Sequence, residues 1–546
     1  MRNKYQRMFL AVVLPALFLS ACGTATPTPV PPTVAQATSG PTAIPVTPTP
    51  TEIQPATISL WASGRVTEAA PPPDDWVAYS IIKNELKITL NLVLLPGDTG
   101  DQNAKISAAA ASNSLPDIFF VNRDTWYKLV GQGLVAKVDN LLPLMPTRTK
   151  THYSDPNRNR IVTIDGAMYG LPDPGQIPTT DGLVIRKDWL DKLGLQMPKT
   201  LDELIAVAKA FTEKDPDGNG KNDTYGFGAY VENNGVPEAG LGRRFDYIFG
   251  AYGVSGTFNV TQDAFGLNVR NPNYFEALKT IKSIMDQGLV TPDWPTLKKD
   301  DFRAKWKQGK WGIMRENFAA LSTKSNYADF DKNFPDGDWE VLPPPTGPGG
   351  LSSEGLAIQS ARIYAVSQKA IDEGKGPAIA RLLEWMANDE GYYLIGFGVK
   401  GVNYNLDANG FITLTGIDPK LAWTAKETQP LTQLANMVYI FSDVELHARY
   451  PEYKTANGRT MKPLDFLAGF TSQKWTENTA AAIINPPANW ADFSRYYNEG
   501  LTNFVLGSNE LTSDNWAQYL AQLDSMGAKD WEASAKTTLT AAGFLK

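Results

Sequence analysis

Asp215, Asp217, Asn219, Lys221 and Asp223 put oxygen donors at alternate positions of the run Asp215-Pro216-Asp217-Gly218-Asn219-Gly220-Lys221-Asn222-Asp223. Set against an EF-hand loop, Asp215, Asp217 and Asn219 take the first, third and fifth places. Gly220 takes the sixth, where the chain must turn sharply. Lys221 offers its backbone carbonyl at the seventh, and Asp223 falls at the ninth. Oxygens spaced in this way wrap one hard cation, and Ca²⁺ is the natural candidate. Gly226 stands at the twelfth place, so the bidentate glutamate is missing, and Thr224 adds no charge. No second helix with apolar spacing follows, which points to a structural ion rather than a sensor. The alternative reading is a solvated Asp/Asn/Gly turn.

The elements that must hold this loop are legible on both sides. Before it, Thr200-Leu201-Asp202-Glu203 is a capping box opening a helix with Leu201, Leu204, Ile205, Ala208 and Phe211 on one face. After it, Tyr225–Phe227 reads as a strand, as do Gly182–Arg186, Trp311–Met314 and Arg362–Ser367. Nearer the start, strands at Ala56–Trp61 and Lys87–Leu95 flank a helical pattern over Asp75–Leu86. A helix over Asp101–Ser112 precedes the nearly continuous apolar strand Leu115–Val121, which suits a buried parallel sheet. Ala378–Met386 reads as a helix with Pro377 in its first turn. In the tail, Thr512 caps a helix whose apolar face is Trp516, Tyr519, Leu520 and Leu523. The alternation of strand and helix predicts an α/β architecture. A body of about 490 residues predicts two or three packing units, and no internal repeat is visible.

Other chemistries find little support. His152 and His447 share no helical or hairpin spacing, so a histidine zinc site or a Ser-His-Asp triad is poorly founded. The lone cysteine, Cys22, leaves neither a disulfide framework nor a thiol nucleophile in the body. The formal net charge of -7, with no basic run, argues against nucleic acid. Aromatics are abundant, with 14 Trp, 21 Tyr and 23 Phe, and most must be core. Those in loops beside amides and carboxylates suit the apolar face and hydroxyls of a sugar.

The N-terminus is an address. Arg2, Lys4 and Arg7 precede an apolar run from Met8 to Leu19, too short to span a bilayer, which closes at Ser20-Ala21-Cys22. Leu19-Ser20-Ala21-Cys22 resembles the lipobox of bacterial lipoproteins, so residues 1–21 are expected to be a signal peptide and Cys22 a lipidated anchor. Residues 22–56, rich in Thr-Pro steps, form a linker of extended polyproline character that reaches about 100 Å at most. An extracytoplasmic protein held to the bacterial cell membrane is expected. No apolar run after Leu19 is long enough to span it.

Three blocks carry a wider resemblance: Val184-Ile185-Arg186-Lys187-Asp188-Trp189-Leu190, Pro198-Lys199-Thr200-Leu201-Asp202-Glu203-Leu204, and the 215–223 loop with Tyr225-Gly226-Phe227. Together with Leu115-Pro116-Asp117-Ile118, Asp389-Glu390-Gly391-Tyr392, Gly398–Tyr404 and Phe504–Gly507, they resemble family 1 extracellular solute-binding proteins, in the large branch that takes oligosaccharides. The resemblance implies a two-lobed, periplasmic-binding-protein-like type II fold with discontinuous lobes and a ligand cleft between them. Residues 57–182 and about 353–405 would form the N-terminal lobe, and 183–352 and about 406–546 the C-terminal lobe. It implies a monomer that closes on sugar and delivers it to an ABC transporter permease. It also places the 215–223 loop in the second lobe.

Clefts of this kind draw ligand contacts from the C-terminal ends of strands. On that basis the sugar-contacting residues are expected to be Trp61 and Arg65 after the first strand, and Asn122, Arg123, Asp124 and Trp126 after the third. The second lobe is expected to supply Tyr230, Glu232, Arg315, Asn317 and Phe318, with Tyr404 and Trp423 as further choices. Arg65, Arg123 and Arg315 would form a positive rim for a carboxylated sugar, the alternative being ordinary surface arginines. A binding protein for peptides or another polar solute, a secreted glycoside hydrolase, and a structural calcium-binding surface protein are the competing readings. The hydrolase needs two facing carboxylates, and no local motif marks such a pair.

Overall fold

The strand expected at Ala56–Trp61 runs from Ala56 to Ser63 and buries Ile58, Leu60 and Ala62 by strict alternation. Its neighbour Ile118–Asn122 instead buries four consecutive residues, Ile118 to Val121, because both of its faces are covered. The computed structural model describes residues 53–545, apart from 67–68, 173–178, 232–240, 262–263, 358–361, 478–479 and 488. Cys22 and the signal peptide and linker expected over residues 1–52 lie outside the described residues. Among the described residues, no helix is long and apolar enough to cross a membrane.

Two sheets organise the body. The first has the order Ile88–Leu95, Ala56–Ser63, Ile118–Asn122, Arg362–Val366, Leu171–Pro172. Its first three strands are parallel, and Arg362–Val366 runs antiparallel beside Ile118–Asn122, with Arg362 opposite Asn122. The second has the order Trp339–Val341, Asp181–Arg186, Trp311–Asn317, Tyr225–Gly228. Here Trp311–Asn317 pairs antiparallel with Asp181–Arg186 and parallel with Tyr225–Gly228. Asp181–Arg186 sends Leu183 and Ile185 into one core and Val184 into another, so this sheet is covered on both faces.

The Thr200 capping box forms as expected, with Thr200 Oγ1 accepting from the Glu203 amide at 3.2 Å and Glu203 Oε2 accepting from the Thr200 amide at 3.2 Å. The helix it opens, Leu201–Glu213, buries Val207 where Ile205 was expected; Ile205 is only half-buried. Thr512 caps the tail helix Ser513–Ser525 through the Asn515 amide at 3.2 Å.

The lobe boundary near 405 needs correction. Tyr404, Ile412, Trp423, Leu434, Ala435, Met437, Val438 and Tyr439 all pack in the first core with Phe397. The Phe397 ring lies 5.1 Å from Trp423 and 5.6 Å from Tyr439. That aromatic cluster keeps the chain in the first lobe past residue 405, and Met461, Leu467 and Phe470 then pack in the second.

Candidate functional site

At one edge of the first sheet, the C-terminal ends of Ala56–Ser63 and Ile118–Asn122 meet the start of Arg362–Val366. This topology brings Ser63, Asn122 and Arg362 together. Arg362 Nη2 donates to Ser63 Oγ at 3.0 Å, and its guanidinium lies 4.7 Å over Phe120. Asn122 Nδ2 donates to Asn103 Oδ1 at 3.3 Å. Trp61 is half-buried, with the Lys105 ammonium 4.8 Å over its ring. Arg65 donates from Nε to Thr432 Oγ1 at 3.1 Å, while its Nη2 is buried with no hydrogen-bond partner among the described residues. Burial lowers its pKa.

The corresponding edge of the second sheet joins the end of Trp311–Asn317, the end of Tyr225–Gly228 and the start of Asp181–Arg186. Asp181 is its centre. Asn317 Nδ2 donates to Asp181 Oδ1 at 2.9 Å and Arg243 Nη2 to Oδ2 at 3.1 Å. Burial alone would raise the Asp181 pKa, but Arg243, Arg244 and Arg315 together with the Asn317 amide outweigh it and hold the carboxyl below its usual range. Asn317 Oδ1 also caps the helix Phe318–Ser322 through the Ala319 amide at 3.0 Å. Arg315 is buried, donates to Arg243 O at 3.2 Å, faces Asp246 at 3.6 Å and lies 5.3 Å over the Trp475 ring.

Several residues expected at the sugar are committed elsewhere in this conformation. Trp126 is fully buried and donates its indole N–H to Tyr169 O at 2.9 Å. Tyr230 is buried with Arg244 on its hydroxyl and Phe302 against its ring. Phe318 packs edge-on to Tyr450, and Tyr404 and Trp423 belong to the first core. For each, the apolar ring found a buried neighbour, the default fate of an aromatic. Arg123 is buried, donating to Ile161 O at 3.3 Å and to Asn485 Oδ1 at 2.7 Å. Glu232 and the side chain of Asp124 lie outside the description.

Sequence reasoning missed Asp181, Arg243, Arg362 and Trp475. Asp181 had a signal, since it opens a strand already read at Gly182–Arg186. Arg362 likewise opens a strand read at Arg362–Ser367; Arg243 and Trp475 had no signal, because nothing local marks which arginine or tryptophan a distant strand end will meet.

The 215–223 loop lies at the other end of the second sheet. It feeds the start of Tyr225–Gly228, and Tyr225 N donates to Lys310 O at 2.9 Å, just before the strand at Trp311. Asp215 accepts from the amides of Gly218, Asn219 and Gly220 at 3.0, 3.1 and 2.9 Å, and Gly218 and Gly220 take the positive φ the turn requires. Asn219 Nδ2 donates to Asp217 at 2.8 Å and Asp223 at 3.1 Å, and Lys310 Nζ holds Asp223 at 2.6 Å. Burial, then the hydrogen bond shared with Asp215 and the neighbouring charges, raises the Asp217 pKa. The donor set is all oxygen and suits a hard cation. Among the described residues, however, no three His, Cys, Asp or Glu side chains converge as a ready ligand group. The Asn219 amide bridges Asp217 and Asp223, and the Lys310 ammonium pairs with Asp223.

A profile of the bacterial extracellular solute-binding proteins matches residues 78–393, more than half of the chain. The chain belongs to that family. This solute-binding protein is 28% identical over 374 residues to the polygalacturonan/rhamnogalacturonan-binding protein YtcQ of Bacillus subtilis, a match covering 66% of this chain and 70% of YtcQ. It is 28% identical over 300 residues to the fructooligosaccharide ABC transporter substrate-binding protein FusA of Streptococcus pneumoniae, covering 50% of this chain and 48% of FusA. Among solved structures, its fold is similar to an HMO-binding, ABC-transporter-associated solute-binding protein of Bifidobacterium longum infantis. That likeness has a TM-score of 0.65 at 19% identity and covers 89% of this chain and 99% of the other. An EF-hand mutant of FusA with bound fructo-nystose gives a TM-score of 0.60 at 20% identity, covering 88% and 98%. The two-lobed α/β solute-binding fold expected from the sequence is therefore the fold of this chain.

Proposed function

We propose that this solute-binding protein captures an oligosaccharide between its lobes and delivers it to an ABC transporter permease as a monomeric binding protein without turnover. The observation that carries the reading is that each sheet has an edge of polar groups at its strand ends, Ser63, Asn122 and Arg362 on the first and Asp181, Arg315 and Asn317 on the second. Fixed hydrogen-bonding groups beside Trp61 and Trp475 provide donors and acceptors for hydroxyls and planar surfaces for sugar rings. Family membership supplies the capture-and-delivery logic, and the ligands for which YtcQ and FusA are named support a glycan. A Ca²⁺ ion is proposed at Asp215, Asp217, Asn219, Asp223 and the Lys221 carbonyl. There it would neutralise the clustered carboxylates and brace the strand starts, away from the ligand edge.

Thermal unfolding of residues 53–546 against neutral and acidic oligosaccharides, each with Ca²⁺ and with EDTA, tests both readings. At a hundredfold excess over Kd, a captured glycan adds about 2.7 kcal/mol of stability. EDTA lowers the transition with or without sugar, and Asp217→Asn reduces the Ca²⁺ response. If peptides shift the transition and no glycan does, the carbohydrate reading falls. Release of reducing ends from a bound glycan would replace capture with hydrolysis.

We also propose that Cys22 carries the lipid that tethers the protein to the outer face of the cell membrane, through the 22–56 linker. Cys22→Ser is expected to move the protein from the membrane fraction to the medium. Equal membrane recovery of the two forms would refute the anchor.

A further inference from the structure

The two lobes touch where the first-lobe segment around Ile161 meets the C-terminal helix, and a cavity lies at that contact. On the first lobe, the antiparallel pair Thr163–Ile164 and Ala167–Met168 follows Ile161. Opposite stands the helix Ala528–Ala541, which belongs to the second core through Trp531 and Ala535. Ile161 is buried against Ile483, Leu539 and Leu545, and the Arg123–Asn485 hydrogen bond of 2.7 Å crosses beside them. The Trp531 indole pins Asn485 in turn, donating to its carbonyl at 2.8 Å.

The cavity encloses about 440 Å³, the scale of a small-ligand site. Arg123 and Arg160 both line it, and the Arg160 guanidinium is seated 4.7 Å over the Phe544 ring. Asp165, exposed at the hairpin turn, is the single acidic side chain in the lining, so positive charge prevails. Thr163, Thr537 and Thr538 also line the cavity, and their hydroxyls already donate to the carbonyls of Asn159, Ala533 and Ser534 at 2.8, 3.1 and 3.2 Å. Their oxygens are left as acceptors. The Tyr127 ring stands 40% exposed at the wall. A bare inorganic anion would answer the arginines but offers no ring face to lay on the tyrosine and, unless it carries an O–H, nothing to donate to the threonine oxygens. A sugar carrying a carboxylate meets all three demands.

We propose that this cavity is a subsite for a uronic-acid unit of the captured glycan. Its carboxylate would lie toward Arg160, its hydroxyls would donate to the threonine oxygens, and its ring would face Tyr127. The proposal rests on the carbohydrate reading given above. Each lobe supplies part of the lining, so an occupied subsite favours the lobes held together.

The test is calorimetric titration of residues 53–546 with trigalacturonate and with its methyl ester, which keeps the rings and removes the charge. The acid is expected to bind at least tenfold more tightly than the ester. Arg160→Gln is expected to reduce that ratio below threefold. Lys536→Gln, an equal change of charge at an exposed position on the helix Ala528–Ala541, is expected to retain it. Equal affinities for acid and ester overturn the proposal, as does an equal loss of the ratio in both variants, which would mean long-range charge alone. Binding of neutral oligosaccharides only would overturn the subsite and leave the carbohydrate reading standing. Failure of every glycan would end both.

Discussion

Arg186→Ala is expected to lower the unfolding free energy by about 3 to 5 kcal/mol, the scale for breaking a buried ion pair and emptying its site. Arg186 is 2% exposed. Its Nε and Nη2 donate to the two oxygens of Asp188 at 2.7 and 2.5 Å. Its guanidinium also lies 4.5 Å from the Trp189 ring, 5.0 Å from Phe330, 5.3 Å from Phe334 and 5.8 Å from Trp339. A cation caged by four rings in a place closed to water gains more from each than it would at the surface. Removing it leaves a void, and leaves Asp188 with only the Asp338 amide at 3.1 Å among these partners. Arg186→Lys keeps the charge but loses the planar fork and the stacking, so an intermediate loss is expected. Denaturant unfolding monitored by tryptophan fluorescence measures both. A loss under about 1 kcal/mol for alanine would show that the cage contributes little beyond filling space.

The second large effect concerns Glu354, which is fully buried in the approach to the short strand Leu356–Ala357. Its Oε2 accepts from the Leu183 amide at 3.2 Å, while Oε1 is buried without a hydrogen-bond partner among the described residues. Burial pushes the carboxyl up to about 7, against the pull of Arg315 and the Leu183 amide and with a small push from Asp246. In the unfolded chain the same group titrates near 4.5. Between these values the folded protein holds a proton that the unfolded chain has lost, so this group's contribution to stability grows as pH falls from about 7 towards 4.5. Above about 7 the ionised, buried carboxylate costs about 3 kcal/mol. Glu354→Gln carries no titratable proton, so the stability difference between the two proteins should change by about that amount across the window and be flat on either side. His152 works in the opposite direction. Burial, then the charge of Arg148, lowers its pKa to about 2, so it withdraws stability as pH falls below 6.5. It does so equally in both proteins and cancels from the difference. Urea unfolding from pH 4 to 8 checks this, and a difference that does not vary with pH would rule out Glu354 as the titrating group.

Arg186 and Glu354 show where sequence reasoning stops. The strand Gly182–Arg186 was legible from its apolar run, yet nothing in Val184-Ile185-Arg186-Lys187 says that Phe330, Phe334 and Trp339 will close around the arginine. The same holds for Trp126, Tyr230, Phe318, Tyr404 and Trp423. Their chemistry suits a sugar or a core equally, and the choice depends on which neighbour arrives from elsewhere in the chain.

What the amino-acid sequence determined by itself is therefore local. The Thr200 capping box, the Thr512 cap, the continuous apolar strand ending at Val121 and the turn built on Gly218 and Gly220 each involve groups within a few residues of one another, so spacing alone specifies them. The ordered blocks from Leu115 to Gly507 carried the two-lobed fold in the same way, through the family resemblance. The tertiary structure alone decided that the chain stays in the first lobe past Tyr404. It also decided that Asp181 meets Arg243 and Asn317, that Arg362 meets Ser63, and that Arg160 and Thr538 line one cavity. Those pairings join groups tens to hundreds of residues apart. Their partners are chosen by how two whole cores pack, and no local pattern of residue types encodes that choice.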